Sequence, residues 1–311
     1  MGIDSANFAK IDNKRVLSQI VRAKITLWIH RFFDERGFLF VEPPVLHERV
    51  DNKKQEIYLP LHQDRYSLNS SNALYLGAYA SFFGKVYAIS PTFRDEEYTM
   101  NHLVEFRMLE VEAVNMEYGN LIPFVDSLLL FILRTITADE SLRNYDSAIV
   151  ERAAFLAETY HPLIKTYEEV LTELYHRNVC SLTAQTDIST MDYHVSEYID
   201  APLYITNYKF ASWTAKRPAV DVVNAFNLIL PGSYGELCEA CERDNDVNLL
   251  RDKFQCAGIT HLDWYVDSIS KIHSARCGFG IGLERLLRWI LGLPSIEESL
   301  FFPRTGINSG H

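Results

Sequence analysis

Three glycines at alternate positions, Gly278, Gly280 and Gly282, precede Arg285. Alternate residues of a β-strand share a face, so these glycines would leave one face of a strand as bare backbone. Glycine weakens a strand interior and often marks a place where a ligand approaches the backbone closely. Arg285 would lie in the first turn of a following helix, where a permanent cation suits an anionic phosphate. The alternative is a glycine-rich strand packed against a helix, and the spacing alone leaves both interpretations open.

Charged residues and a phenylalanine alternate along a second segment of the chain. Arg94 and Glu96 are two positions apart and share one face, as do Phe106, Glu110 and Glu112 on the next predicted strand. Such a face offers a cation for a carboxylate or phosphate, a ring that could stack on a base, and carboxylates that could hold an ammonium. A solvated hairpin of salt bridges is commoner for any single Arg–Glu pair. The phenylalanine among the charges argues against that alternative.

A third segment, residues 225–243, is predicted to form a tight hairpin that presents Glu236, Glu239 and Arg243. Glu236 could ligate a Mg²⁺ ion that bridges phosphates, because hard cations prefer carboxylate oxygens. It could equally be an ion-pair partner of Arg243. The spacing of these residues leaves both interpretations open.

The pair Cys238 and Cys241 suggests a zinc site, with Cys256 or His261 as further ligands. A structural zinc site needs four ligands at recognisable spacing, and the sequence offers one clean pair. A Cys–His–Asp nucleophilic mechanism is equally weakly supported, because the histidines form no paired motif. Both interpretations are disfavoured.

Length and charge restrict the class of protein. The chain has 311 residues, of which 48% are apolar and 23% charged, which is the balance of a globular protein. The formal net charge is −11. Such a charge repels a polyphosphate partner unless basic residues cluster on one face, and the densest basic stretches, near residues 10–15 and 52–54, are short. A nucleic-acid-binding protein is therefore disfavoured.

Compartment signals point to the cytoplasm. Residues 1–10 lack the apolar region of a signal peptide. The most apolar stretch, Leu121 to Ile136, contains Asp126 and Arg134 and falls short of the roughly 18 residues of a membrane span. Five scattered cysteines do not resemble a secreted disulfide framework. We therefore expect a cytoplasmic protein with reduced thiols and no membrane partner.

The periodicity of apolar residues predicts one continuous α+β domain. A repeat of three and four predicts a helix over Val16–Phe33, closed by Gly37. Runs of neighbouring strands with helices between them favour an antiparallel sheet over a parallel, doubly wound one. The predicted strands lie near 38–41, 66–68, 86–94, 103–115, 221–230, 234–238 and 276–281. The other predicted helices lie near 121–137, 243–256 and 283–291.

Taken together, these segments resemble a known family. The helix followed by residues 37–44, then 93–96 and then 278–285 are similar to motifs 1, 2 and 3 of class II aminoacyl-tRNA synthetases, in the family's order. Residues 93–112 and 302–305 resemble its aspartyl and asparaginyl branch. Residues 227–236 resemble the archaeal asparagine synthetase related to asparaginyl-tRNA synthetase. The similarity spans about residues 15–307, with 118–200 only loosely matched as a helical insertion.

The resemblance implies a single catalytic domain over 1–311, with a six- or seven-stranded antiparallel sheet flanked by helices. It implies a homodimer formed through motif 1, and a bent ATP bound with Mg²⁺. The amino-terminal anticodon-binding barrel of this branch needs about a hundred residues. The chain before motif 1 leaves room for one helix, so tRNA is not an expected partner.

The resemblance also implies roles for particular residues in binding ATP. Arg94 would hold the α-phosphate and the carboxylate under attack, and Glu96 would meet the adenine amino group. Phe106 would stack on the adenine, and Arg285 would bind the γ-phosphate side. The remaining residues assigned to the nucleotide are His102, Gly280, Gly282 and Glu236. Arg94, Arg285 and Glu236 would be the catalytic groups.

Another set is implied for the amino acid and the metal. Glu110 would hold the substrate ammonium, and Arg243 would bind the carboxylate or amide that is not activated. Ser71 and Glu239 complete the substrate site, while Glu236 and Asn227 would be the Mg²⁺ ligands.

Several positions depart from the family pattern. Asn227 stands where the synthetases carry an aspartate that helps hold metal, so weaker or fewer Mg²⁺ ions are expected. Leu76 occupies the position of a lysine of the aspartyl enzymes, and Ala73 that of a glutamine in the amino-acid pocket. The small Ser-Gly-Gly floor before the arginine is here Glu239–Cys241, which adds volume and a charge beside the substrate.

These features predict an AMP-forming amide ligase that adenylates a carboxylate of aspartate or a related amino acid and transfers the acyl group to ammonia or an amine. The first alternative is a stand-alone synthetase-like enzyme that charges a tRNA or carrier protein. The second is a non-catalytic paralogue that binds an amino acid or adenylate.

Overall fold

The computed structural model describes residues 13–48, 56–60, 66–96, 99–177, 188–209, 212, 214–219, 222–259 and 261–303. Eight strands form one sheet in the order β1-β5-β6-β11-β10-β9-β8-β7, and β2, β4 and β3 form a small second sheet. The strands are β1 (Leu39–Phe40), β2 (Leu46–Glu48), β3 (Tyr58–Leu59), β4 (Tyr66–Leu68), β5 (Lys85–Phe93), β6 (Glu105–Val114), β7 (Leu163–Thr166), β8 (Leu203–Thr206), β9 (Ala225–Leu230), β10 (Gly235–Glu242) and β11 (Arg276–Gly282).

The α+β class is confirmed, and the sheet differs from the prediction in two respects. It has eight strands rather than six or seven, and it is mixed rather than wholly antiparallel. The pairs β1–β5 and β7–β8 at the two edges are parallel, while the central strands are antiparallel. Parallel neighbours need a long crossover connection. The crossovers here carry helices that the apolar periodicity did not predict.

Every helix predicted from the sequence is present in the structure. They are α1 (Asn13–Asp34), α2 (Ala73–Phe83), α3 (Leu121–Ala138), α4 (Glu140–Tyr145), α5 (Ser147–Thr159), α6 (Tyr167–His176), α7 (Ile188–Tyr198), α8 (Val247–Cys256), α9 (Asp263–Ile269) and α10 (Leu283–Leu291). After α1, Gly37 adopts a φ of 72°, as the predicted stop requires. Helix α8 begins at Val247 rather than at Arg243, because the Asp246 side chain accepts hydrogen bonds from the amides of Asn248 and Leu249.

The main core lies between one face of the sheet and helices α1, α3 and α10. Strand β6 shows how the sequence divides the two faces. Leu109, Val111 and Ala113 point into this core, whereas Glu110 and Glu112 point to the other face. Alternation along a strand therefore places apolar side chains under the helices and charged ones above the sheet.

Helix α3 corrects one expectation from the sequence. With the preceding 3-10 turn it forms 21 helical residues, long and apolar enough to cross a membrane by length and composition alone. The expectation that this stretch is too short for a membrane span is therefore wrong. One face of the helix, including Val125, Leu129 and Ile132, is buried against the sheet. Its apolar character is therefore accounted for by packing in the core.

On the other face of the sheet, α2 packs on β5 and β6, and α9 packs on α2. Gly77 permits this contact, because a side chain there would lie 2.9 Å from the Tyr265 ring and 3.0 Å from the Arg276 guanidinium. The helices cover only part of this face. The uncovered part, above β6, β11 and β10, is the floor of a cleft.

Candidate active site

A cleft of about 940 Å³ lies above the central strands and collects most of the residues expected to do chemistry. The predicted site residues that line it are Ser71, Arg94, Glu96, His102, Phe106, Glu110, Glu236, Glu239, Arg243, Gly280, Gly282 and Arg285. They come from β6, β10, β11, α10 and the segments that flank these elements, α2 and β5. Residues scattered over more than two hundred positions of sequence therefore face one volume.

One end of the cleft combines an arginine with an aromatic ring. The guanidinium carbon of Arg94 lies 5.5 Å from the centre of the Phe106 ring. Arg94 Nη1 is 3.9 Å from Glu96 Oε1, and Arg94 Nε donates to the Ser70 carbonyl at 3.3 Å. The ring, the cation and the carboxylate thus occur side by side, as their alternation in the sequence predicted.

Arg285 lies in the first turn of α10, as predicted. Its Nη1 donates to the Glu236 carbonyl at 2.7 Å and lies 3.6 Å from Glu236 Oε1. His102 is nearby, with Nδ1 2.7 Å from Thr99 Oγ1. Burial lowers the pKa of His102, and the positive charge of Arg285 lowers it further, against the opposing effect of Glu96 and Glu236. The imidazole is therefore neutral near pH 7.

A β-bulge in β10 brings two carboxylates into the cleft. Glu236 and Glu239 are three positions apart, so a regular strand would place them on opposite faces. The register between β10 and β9 shifts between Glu236 and Cys238, which leaves Leu237 as the extra residue. As a result Glu236 and Glu239 both line the cleft. Sequence alternation contained no signal for this bulge.

The predicted metal ligands, Glu236 and Asn227, are adjacent. Asn227 Nδ2 donates to Glu236 Oε2 at 3.3 Å and to Asp192 Oδ2 at 2.8 Å. Burial raises the pKa of Asp192 well above its ordinary value, and the Glu236 carboxylate raises it further. Asp192 was not predicted from the sequence, because its distance from the motifs along the chain hides this contact.

The carboxylates of Glu236, Glu239 and Asp192 do not form a metal site made of protein ligands alone. Within the described ranges, no group of three or more His, Cys, Asp or Glu side chains is arranged to hold a metal ion. The donor set fits Mg²⁺ held mainly by phosphate oxygens, with Glu236 as the carboxylate ligand, because Mg²⁺ is commonly bound through one or two carboxylates and substrate phosphates. Glu236 pairs with Arg285, so its alternative role as the partner of Arg243 is wrong.

The Glu110 carboxylate accepts hydrogen bonds from the two residues that precede α2. Its Oε1 accepts from Ser71 Oγ at 2.7 Å, and its Oε2 accepts from Asn72 Nδ2 at 3.0 Å. The Asn72 amide is 3.0 Å from both carboxylate oxygens. These bonds fix the carboxylate and the Ser71 hydroxyl in one orientation.

Arg243 is held from below by a buried carboxylate. Glu112, which is 0% exposed, accepts from Arg243 Nε at 3.2 Å and from Arg276 Nη1 at 2.5 Å. Arg243 Nη1 donates to Thr214 Oγ1 at 3.2 Å and to Cys241 Sγ at 3.0 Å. One carboxylate therefore pairs with two guanidinium groups. Arg276 supports the site from a position that no motif in the sequence indicates.

The three glycines of β11 serve different purposes. A side chain at Gly278 would lie 2.1 Å from Glu112 Oε2 and 2.7 Å from Arg243 Nη2. At Gly282 the nearest atom is 3.8 Å away. The expectation that a ligand approaches the backbone at all three glycines is therefore wrong at Gly278, where the protein's own ion pair takes the space.

Glu239 stands on the cleft floor between these groups. It lies directly across from Gly280 on β11 and from Asn227 on β9. Desolvation within the cleft raises the pKa of its carboxyl, and the Glu236 carboxylate adds to the rise, while Arg243 and Arg94 oppose it. Glu239 is consequently a stronger base than an ordinary glutamate.

The zinc hypothesis conflicts with the position of the cysteines. Cys238 is buried in the core beneath the sheet, whereas Cys241 lines the cleft under Arg243. The two thiols lie on opposite faces of β10, because their separation is odd and the register between them is regular. They cannot ligate the same metal ion.

Comparisons with known proteins agree with the resemblance seen in the motifs. A family model described as tRNA synthetases class II (D, K and N) matches residues 6–306. The asparagine–tRNA ligase of Thermus thermophilus is 30% identical over 309 residues, covering 91% of this chain and 68% of that protein.

Solved structures give the same result for the fold. The asparaginyl-tRNA synthetase from Pyrococcus horikoshii, in complex with asparaginyl-adenylate, superposes with a TM-score of 0.82 at 25% identity, covering 94% of this chain and 69% of that one. The asparaginyl-tRNA synthetase of Entamoeba histolytica superposes with a TM-score of 0.81 over 98% of this chain and 72% of that one. At 19% identity, the second likeness concerns the fold alone.

The ion pairs of Glu112 with Arg243 and Arg276 can be tested by substitution. Glu112→Gln keeps the shape of the side chain but leaves two buried guanidinium groups without their counter-charge. We expect the free energy of unfolding, measured by urea denaturation, to fall by about 3–5 kcal/mol. The control is Glu35→Gln directly after α1, whose side chain is 54% exposed and pairs with Arg31, and it should cost less than about 1 kcal/mol. A similar small loss for Glu112→Gln would contradict the arrangement.

The glycines give a second test. Gly278→Ala would place a methyl group 2.8 Å from the Val111 carbonyl oxygen as well as against Glu112, and the backbone atom cannot move aside. We expect a loss of stability of about 1–3 kcal/mol from overpacking, read from thermal or urea unfolding. Gly282→Ala is the matched control on the same strand, with no neighbour closer than 3.8 Å. Equal stabilities of the two variants would show that the contact at Gly278 is wrong.

Proposed function

Because the chain belongs to the class II tRNA synthetase family of aspartyl, lysyl and asparaginyl enzymes, we propose that it activates a carboxylate of aspartate or a related amino acid with ATP. In the second step of the proposal, ammonia or an amine takes the acyl group from the adenylate. The observation that carries the activation step is the convergence of Arg94, Phe106, Glu110 and Arg285 on one cleft. The expected product is an amide, with AMP and pyrophosphate released.

ATP binds at the end of the cleft formed by Arg94, Phe106 and Arg285. The Phe106 ring stacks on the adenine, and Glu96 accepts from its amino group. Arg94 stabilises the α-phosphate, while Arg285 and the neutral His102 lie on the side of the departing phosphates. The guanidinium groups are already held by the Ser70 and Glu236 carbonyls, so little reorganisation is needed as charge develops.

Mg²⁺ would be held by Glu236 together with phosphate oxygens of ATP. When bound, it neutralises phosphate charge and supports the departure of pyrophosphate. The Asn227 amide orients Glu236 through the hydrogen bond at 3.3 Å. Because Asn227 is neutral, we expect a metal requirement supported by one cleft carboxylate rather than two.

The amino acid lies across Glu110 and Arg243. Glu110 and Ser71 receive its ammonium group, and Arg243 pairs with the carboxylate that is not activated. The other carboxylate then faces Arg94 and attacks the α-phosphorus in line with the departing pyrophosphate. Catalysis of this step is mainly orientation and charge stabilisation, with no covalent bond to the enzyme.

The main proposal and a second candidate function, the charging of tRNA, differ in the molecule that accepts the acyl group. The names of the relatives favour tRNA charging, because the matched proteins are asparaginyl-tRNA synthetases. The net charge of −11 and the Glu239 carboxylate on the cleft floor favour a cationic or neutral small acceptor over a polyanion. We therefore place ammonia or an amine first.

A homodimer is part of the proposal. Leu39 and Phe40 form the edge strand β1 and are exposed, as are Leu27 on α1 and Phe82 and Phe83 at the end of α2. An exposed apolar surface at a sheet edge favours pairing with another chain. Pairing of two copies through the motif 1 region would cover these side chains.

The test of activation is ATP–pyrophosphate exchange across a panel of amino acids that includes aspartate and asparagine. We expect exchange with one carboxylic substrate, and Arg94→Ala should reduce kcat/KM for exchange by about 100- to 1000-fold, because it removes a charge donor to the α-phosphate. The control is Arg251→Ala on α8, an exposed arginine paired with Asp267, which should leave exchange unchanged. No exchange with any member of the panel would overturn the proposal.

The acceptor is tested separately, with the amino acid that supports exchange. We expect mass spectrometry to detect the amide after incubation with ATP and ammonium or simple amines. Incubation with total tRNA should give no acid-precipitable label from the labelled amino acid. Label on tRNA without amide formation would favour the second candidate.

A further inference from the structure

Glu239 is an acidic residue on the floor of the cleft, and its protein contacts do not account for its presence there. Glu96 faces Arg94, Glu236 faces Arg285, and Glu110 holds Ser71. Within the part of the chain that the structure describes, Glu239 forms no comparable hydrogen bond or ion pair. Its side chain is exposed to the space of the cleft itself. A carboxylate in that position is free to meet a ligand.

The sheet defines where that ligand would lie. Glu110, Gly280, Glu239 and Asn227 are directly opposite one another on four successive strands. With neighbouring strands about 4.8 Å apart, the backbones at Glu110 and Glu239 are roughly 10 Å apart, separated by bare backbone at Gly280. The Met108 side chain borders this gap, since a Cβ at Gly280 would lie 3.0 Å from Met108 Cε. The space above it, between the ammonium site at Glu110 and the carboxylate at Glu239, belongs to the cleft of about 940 Å³ and can hold a small substrate.

Glu239 shares the cleft with the two arginines that the proposal assigns to the substrate carboxylates. The charged groups that line the cleft with it are Glu236 on its own strand, Arg243 directly after that strand, Arg94 directly after β5 and Glu110 on β6. Glu239 in turn acts on Asp192 of α7. Arg94 and Arg243 are the two groups assigned to the activated and the non-activated carboxylates. An acyl group held between these two arginines would therefore lie in the same cleft as the Glu239 carboxylate.

An amine acceptor has a requirement that a hydroxyl acceptor lacks. Near pH 7 it is mainly an ammonium ion, and it must lose a proton before its nitrogen can attack. A carboxylate that lines the cleft can attract the cation and then accept the proton as a general base. The same negative charge repels the phosphates of a nucleic acid.

We infer that Glu239 binds the acceptor amine as its ammonium ion beside the acyl adenylate and takes the proton that frees the nitrogen for attack. This inference rests on the proposed function. The nitrogen lone pair forms the C–N bond, and the bond between the acyl carbon and the phosphate oxygen breaks as AMP leaves with the electron pair. The first nitrogen proton passes to Glu239, and a second is released to water.

The experiment compares two rates in the whole protein, ATP–pyrophosphate exchange and amide formation with ammonium or methylamine. For Glu239→Gln at pH 7, we expect the ratio of amide formation to exchange to fall about 100-fold, with a higher KM for the amine. The deficit should shrink as the pH approaches the pKa of the amine, because free base then replaces the ammonium. Glu239→Asp should recover part of the ratio. The control is Glu158→Gln, an exposed residue of α5.

The possible failures are distinguishable. An unchanged ratio and pH profile in Glu239→Gln, with exchange measurable, would overturn this inference alone. A parallel loss of both rates would assign Glu239 to amino-acid binding and would also overturn it. Absence of exchange in the unmodified protein would overturn the proposed function and the inference together.

Discussion

The cleft depends on one buried carboxylate that is shared by two arginines. Glu112 is fully buried and lies against both Arg243 and Arg276. Burying a single guanidinium without a counter-charge would cost several kcal/mol. Burial of Glu112, Arg243 and Arg276 is therefore favourable only when all three side chains are present. The glycine at 278 follows from this arrangement, because a methyl group would occupy the position of the Glu112 oxygen. Arg243 is therefore held in place at the cleft by Glu112, Thr214 and Cys241.

A single β-bulge in β10 determines which acidic side chains line the cleft. The bulge in β10 turns Glu236 to the same face as Glu239, and Asn227 then holds Glu236 through its amide. In a regular strand one of the two carboxylates would point into the apolar core beneath the sheet. The extra residue thus places the Glu236 carboxylate beside Arg285 and leaves the Glu239 carboxylate on the floor of the cleft.

The sequence predicts those cleft residues whose charge or aromatic ring is unusual for their position in or next to a strand. Arg94, Phe106, Glu110 and Arg285 carried the motifs, and the structure brings all four to the cleft. Helix α2 was missed because it is apolar on most sides and lacks amphipathic periodicity. Arg276 and Asp192 were missed because their contacts join residues far apart in the chain, and the bulge was missed because alternation assumes a regular strand.

The row formed by Glu110, Gly280, Glu239 and Asn227 runs across the strands rather than along one of them. Its members come from separate segments of the chain, and each is attached to backbone whose hydrogen bonds do not depend on the side chain. A substitution in this row can change the charge or volume of the cleft while the strands stay paired. Divergence of chemistry among proteins of this architecture therefore requires only isolated replacements, one strand at a time, without any rebuilding of the scaffold.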